Sequence, residues 1–138
     1  MTGYTGRCLC QAVTFRVSAE PQFTGHCHCL DCQKSTGTGH ASYAFFELSG
    51  VHIKGVTSAY ESRADSGATM TRRFCPRCGS RLFGHSSRMP DAIGIMLATF
   101  DDPDAFIPTT SLYASKHRKW DPPATDTKAF AEGRPSRD

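Results

Sequence analysis

Apolar and polar residues alternate with period two over several short stretches, the pattern of half-buried strands. From Ala12 to Val17, Val13, Phe15 and Val17 share one face, and Thr14 and Arg16 share the other. Ala41 to Leu48 is aromatic-rich and runs into the turn signal Ser49-Gly50, after which Val51 and Ile53 resume the alternation. Ser58 to Ser62 and Thr69 to Phe74 are predicted to pair around Ala64-Asp65-Ser66-Gly67. Arg81 to Gly84 is a short strand. Ala92 to Phe100 is an apolar run with Ile93, Ile95 and Leu97 on one face, which predicts a buried strand. Helix signals are few: one short turn over Leu30 to Ser35, and another over Asp102 to Ala105 with Asp101 or Asp102 as cap and Pro103 near its start. The pattern predicts a mainly β chain with antiparallel pairing and with loops carrying its cysteines.

A chain of 138 residues fits one domain, 1–138. Its core is expected over about residues 3–120. From 121 to 138, Pro122, Pro123, Gly133 and Pro135 stand among polar residues, which predicts a surface-wrapping or partly disordered polar tail. Hydrophobic content of 38% with 21% charged residues is that of a globular chain rather than a disordered one. A net charge of +3 without a long run of one sign gives no stripe for nucleic acid. No apolar run approaches the ~20 residues that a membrane span needs. Met1 to Arg7 lacks the basic start and apolar stretch of a signal peptide, so the expected location is the cytoplasm.

The cysteines change the picture most. In a reducing compartment, closely spaced cysteines read as metal ligands, and an odd total of 7 leaves a disulfide framework incomplete. They form three clusters: Cys8-Leu9-Cys10, Cys27-His28-Cys29-Leu30-Asp31-Cys32 and Cys75-Pro76-Arg77-Cys78. Cys8 and Cys10, two apart on an extended chain, would face one ion while Leu9 faces away. Phe74-Cys75-Pro76-Arg77-Cys78-Gly79 reads as a zinc knuckle turned by Pro76 and Gly79. Joining these pairs gives four thiolates, a closed structural site, and leaves three thiolates with an open fourth position, the form of a catalytic site. A second partition pairs Cys29 and Cys32 with Cys75 and Cys78, although the gap between them exceeds the usual ~15–20 residues. His26 or His28 is a further candidate to complete the three-cysteine site. In an extended segment, however, His28 points opposite Cys27 and Cys29.

Gly6-Arg7-Cys8-Leu9-Cys10-Gln11-Ala12-Val13, Cys27-His28-Cys29-Leu30-Asp31-Cys32-Gln33-Lys34 and Phe74-Cys75-Pro76-Arg77-Cys78-Gly79-Ser80 resemble the motifs of the glutathione-dependent formaldehyde-activating enzyme family, whose domain is shared with centromere protein V. The likeness runs from about Gly3 to Trp120. It implies a β-tent fold of antiparallel sheets with zinc-binding loops and two zinc ions per chain. By the same resemblance, Cys8, Cys10, Cys75 and Cys78 hold a structural zinc, and Cys27, Cys29 and Cys32 hold a catalytic one. The implied activity is condensation of glutathione with formaldehyde to S-hydroxymethylglutathione, a carbon–sulfur lyase reaction. Gln11 departs from the family, which usually has Gly there.

A zinc carrying three thiolates bears net negative charge and suits a soft sulfur ligand better than water. An arriving thiol would be deprotonated there and placed beside a small aldehyde. His28, with His26 and His40, is a candidate proton donor. Lys34, Arg72, Arg73, Arg77 and the run Lys116-His117-Arg118-Lys119 are candidate cations for the carboxylates of glutathione. Gly37 and Gly39 are candidates for close backbone approach to a ligand, and Trp120 for a pocket edge or a docked tail. The alternatives are a non-catalytic zinc-stabilised binding module and a thiol or metal sensor. The expected partner is a small-molecule thiol, with no nucleic acid and no membrane.

Overall fold

The computed structural model describes residues 3–134, so Pro135 and the end of the expected tail, like Met1 and Thr2, lie outside the described residues. The chain is mainly β and divides into two compact units, residues 3–23 with 44–105 and residues 24–43 with 106–134.

In the first unit, β1 (Tyr4–Arg7), β2 (Thr14–Val17) and β5 (Val51–Lys54) form an antiparallel sheet with β2 in the middle. Tyr4 lies opposite Val17, and Phe15 lies opposite Ile53. The alternation of Val13, Phe15 and Val17 places all three in the core. The Phe15 ring meets Phe83 edge-on at 5.5 Å and Phe100 at 5.2 Å, a favoured geometry for aromatic pairs. Gly6 makes this possible, because a Cβ there would fall 2.1 Å from the Phe15 ring and 2.5 Å from the Thr99 carbonyl.

β6 (Ser58–Arg63), β7 (Thr69–Phe74), β8 (Arg81–Ser86) and β9 (Ala92–Met96) form an antiparallel meander in the same unit. The predicted hairpin turn is present. The Gly67 N–H donates to the Ala64 carbonyl at 2.9 Å, and Gly67 has φ +89°, where glycine carries no Cβ penalty. The apolar run from Ala92 does not stay a strand to Phe100. β9 ends at Met96 and Leu97–Thr99 forms a 3-10 turn, with the Thr99 hydroxyl donating to the Met96 carbonyl at 2.6 Å. That turn brings Phe100 into the aromatic core, a tertiary gain that overrides the local strand pattern. A second 3-10 turn, Pro103–Ala105, starts at Asp102, whose carboxylate accepts from the Asp104 N–H.

The second unit holds β3 (Phe23–Cys27, from Thr24 on), α1 (Leu30–Thr36), β10 (Thr110–Leu112) and β11 (Lys128–Ala129). β4 (Ala41–Glu47) begins here and ends in the first unit. β10 pairs in parallel with β3 on one side and with β11 on the other, so the expected antiparallel pattern is joined by a mixed sheet. β11 lies in the stretch expected as a polar tail. Residues 127–132 run along 109–115: the Phe130 N–H donates to the Ser111 carbonyl, the Tyr113 N–H to the Glu132 carbonyl, and the Ser111 and Thr127 hydroxyls bond at 2.7 Å. The sequence of this stretch lacks alternation because only a short edge strand forms.

Candidate metal centres

Cys8, Cys10, Cys75 and Cys78 converge in the first unit, with their sulfurs within 4.8 Å of one another. Each pair sits in a tight turn. The Cys8 N–H donates to the Val13 carbonyl, the Gln11 N–H to the Cys8 carbonyl, and the Val13 N–H to the Cys8 sulfur at 3.3 Å. In the second turn the Cys75 N–H donates to the Ser80 carbonyl, the Gly79 N–H to the Cys75 carbonyl, and the Arg77 N–H to the Cys75 sulfur at 3.4 Å. A register shift between Arg73 and Phe74, where β7 leaves its regular pairing with β8, precedes this knuckle.

Residues 8–13 are therefore a turn and not the extended segment expected from the CxC spacing, although Leu9 does face away, 84% exposed. The turn needs a left-handed residue, and Gln11 supplies it at φ 68°. Gly79 does the same in the second knuckle at φ 78°. Ser80 links the two. Its hydroxyl accepts from the Leu9 N–H at 3.0 Å and lies 3.1 Å from the Cys78 sulfur. The Ser80 hydroxyl, then the backbone of Ser80 and of Cys10, hold the Cys78 thiol down to about 5, so it is a thiolate at neutral pH.

The fit to zinc is metric. Four sulfurs about 2.3 Å from a tetrahedral zinc lie about 3.8 Å apart. The Cys8–Cys10 and Cys10–Cys75 sulfur separations are both 3.7 Å.

Cys27, Cys29 and Cys32 converge in the second unit, again with sulfurs within 4.8 Å. Cys27 ends β3. Cys29 caps α1, its sulfur accepting from the Cys32 N–H at 3.3 Å, and Cys32 lies in the first turn. The close Cys29 and Cys32 thiols, then burial, push Cys27 strongly up. Three sulfurs so crowded cannot all ionise without a cation, and a dication inverts that balance. Tyr43 escaped the sequence reading, since one tyrosine in an aromatic strand reads as core. Its hydroxyl bonds Cys27, and burial, then the three cysteines with Cys27 first, keep the phenol protonated.

His26, His28 and His40 gather in the second unit, with His28 between the cluster ligands Cys27 and Cys29 in sequence. His28 is 1% exposed, and its Nδ1 lies 3.9 Å from the Asp121 carboxylate. His40 Nδ1 bonds the same carboxylate oxygen. His26 Nδ1 pairs with the Ser42 hydroxyl at 2.7 Å, and its ring meets His40 edge-on. The His28, His40 and Asp121 ligand atoms also lie within 4.8 Å of one another. Asp121 gave no sequence signal, being far along the chain in the presumed tail. Gly39 does not present its backbone to a ligand but makes room for Asp121, whose Oδ2 would lie 2.1 Å from a Cβ there.

The candidate cations divide between the units. Lys34 and residues 116–119 are exposed in the second. Arg77 is exposed in the first, whereas Arg72 is buried against the Ser62 hydroxyl and Arg73 donates to His85 Nε2 at 3.2 Å. Trp120 is 68% exposed. Among the described residues, no helix is long and apolar enough to cross a membrane.

Known proteins resemble this chain in fold and in sequence. A crystal structure of a Rhodobacter sphaeroides protein superposes with a TM-score of 0.57 at 20% identity, covering 71% of this chain and 88% of that one, a likeness of fold. A Halomonas elongata protein that carries a provisional name, glutathione-dependent formaldehyde-activating enzyme, is 37% identical over 105 residues, which are 70% of this chain and 64% of that protein. The profile of the glutathione-dependent formaldehyde-activating enzyme family matches residues 3–116. With most of its length matched and the cysteines of the three motifs gathered into two clusters able to hold metal, the chain belongs to the glutathione-dependent formaldehyde-activating enzyme family.

Proposed function

We propose that this protein is a zinc-dependent carbon–sulfur lyase, joining a thiol such as glutathione to a small aldehyde such as formaldehyde, with two zinc ions in its two cysteine clusters. The observation that carries this reading is the unequal grouping of sulfurs, four in one cluster and three in the other. Four close a tetrahedral site, and three leave a position for substrate. When bound at Cys27, Cys29 and Cys32, zinc supplies the acidity that ionises an incoming thiol near neutral pH.

The chain's own residues hold the two reactants together and manage the proton. The thiol sulfur forms a bond to the aldehyde carbon, the carbonyl π pair moves to oxygen, and that oxygen takes up a proton, balancing the one the thiol lost. Tyr43 is the hydrogen-bond donor for that oxygen, since its hydroxyl touches Cys27. His28, the donor favoured from sequence, turns its Nδ1 toward Asp121 instead. Lys34, in the helix that carries Cys32, is the proposed cation for a carboxylate of the thiol substrate. The proposed location is the cytoplasm, a reducing compartment in which closely spaced cysteines serve as metal ligands.

The test is exchange spectroscopy with carbon-13 formaldehyde and glutathione. The zinc-loaded protein is expected to accelerate interconversion of free and glutathione-bound formaldehyde, with Cys29→Ser at the uncatalysed rate. A wild-type protein no faster than buffer contradicts the reading.

A further inference from the structure

His28 presents a problem that the sulfur clusters do not solve. Buried polar atoms in native proteins almost always have a partner, and an exception calls for a cause such as a missing ion. His28 is 1% exposed, yet its Nδ1 has no hydrogen-bond partner, and it is the only imidazole nitrogen among the described residues in that state. The ring also bonds the backbone of Gly39, which the unpartnered Nδ1 leaves to Nε2. A histidine that donates one nitrogen to a backbone carbonyl presents the lone pair of the other outward, as metal-ligating histidines do. That lone pair faces the Asp121 carboxylate oxygen at 3.9 Å, too long for a hydrogen bond and suited to two ligands of one ion. His40 Nδ1 reaches the same oxygen, and Gly39 leaves space for the carboxylate.

We propose that His28, His40 and Asp121 form a third metal site, independent of both cysteine clusters, that takes a zinc-like divalent transition ion. Two neutral imidazoles and one carboxylate suit zinc, cobalt or nickel, whereas calcium and magnesium prefer oxygen alone. Three protein ligands leave one position open. The net charge of such a centre is +1, against −1 for a zinc on three thiolates, so it is the stronger Lewis acid of the two. The three ligands come from the segment after β3, the segment before β4 and the loop after residue 117, so the ion ties together parts of the second unit that are far apart in sequence.

The test uses the full chain with its cysteine clusters saturated by zinc, titrated with cobalt(II). Wild type is expected to take up one further cobalt, with visible d–d bands typical of nitrogen and oxygen ligands and without sulfur-to-cobalt charge transfer. His40→Ala and Asp121→Asn are expected to weaken that uptake at least about tenfold while leaving the zinc in the cysteine clusters unchanged. The wild-type spectrum keeps the proposal testable even where a variant folds poorly. No further cobalt uptake by wild type, a sulfur charge-transfer band on the third ion, or equal uptake by folded His40→Ala and Asp121→Asn overturns the proposal.

Discussion

The two cysteine clusters are built from the same side chain and differ in how the backbone delivers it. The four-cysteine cluster joins two hydrogen-bonded knuckles from stretches of the first unit far apart in sequence, with Ser80 bonded to both. The three-cysteine cluster comes from one six-residue stretch at the junction of β3 and α1, and its sulfurs crowd one another. The first arrangement ties distant segments and leaves no ligand position. The second ties nothing distant and supplies one sulfur too few. On the proposed reading, a metal in the first would act on folding and a metal in the second on a ligand.

The sharpest way to break this contrast is to remove one sulfur from each cluster. Cys78→Ser is expected to unfold the chain or cost about 5 kcal/mol or more, because apparent zinc binding at such sites is worth about 10 kcal/mol or more and a domain's whole stability is about 5–15 kcal/mol. A melting curve like that of wild type contradicts the four-ligand assignment. Cys29→Ser is expected to melt within a few degrees of wild type yet show turnover at the uncatalysed rate. Full activity removes the catalytic reading of that cluster. Tyr43→Phe keeps the sulfurs and deletes the hydroxyl at Cys27. A roughly 100-fold fall in kcat with the fold intact is expected, the usual cost of one donor at a developing oxyanion, and unchanged kcat assigns Tyr43 a packing role.

Smaller effects sharpen the contrast between the knuckles. Gln11 holds a left-handed backbone at φ 68°, where the equivalent position of the other knuckle has Gly79. A left-handed L-residue costs about 1–2 kcal/mol, partly offset by the extra freedom of glycine in the unfolded chain. Gln11→Gly is thus expected to raise stability by up to about 1 kcal/mol in chemical denaturation. A loss of stability shows that the Gln11 side chain contributes contacts of its own. The smallest effect is at His85, whose pKa burial, then the Arg73 guanidinium, pushes down from 6.5. The unfolded chain binds this proton more readily, so the contribution of the neutral ring is complete above about pH 6.5 and declines as the pH falls below it. His85→Gln, which retains an acceptor for Arg73, is expected to flatten the stability profile between pH 7 and 5.

The strands of the first unit were readable because each buries one face. Val13, Phe15 and Val17 announce β2, and Ala64 to Gly67 announce the β6–β7 turn. The grouping of the cysteines followed from spacing and from the family resemblance. The second unit was harder to read. β3, β10 and β11 are short, and β10 gains its place by parallel pairing with segments far along the chain, which local alternation does not record. Asp121 became visible only when that pairing folded the last stretch back. Tyr43 is one aromatic in an aromatic-rich strand, and no local pattern announces the contact of its hydroxyl with Cys27. The turn at Cys8 to Val13 is not legible in the sequence, because CxC spacing suits both an extended segment and a turn and Gln11 does not declare a left-handed position as glycine would.

The most direct test is anomalous scattering at the zinc edge on crystals of the metal-loaded protein soaked with glutathione. The account predicts one zinc surrounded by the sulfurs of Cys8, Cys10, Cys75 and Cys78, and another held by Cys27, Cys29 and Cys32 with the glutathione sulfur as its fourth ligand. A zinc missing from the second cluster, or one whose fourth ligand is a protein side chain while glutathione stays unbound, would contradict it.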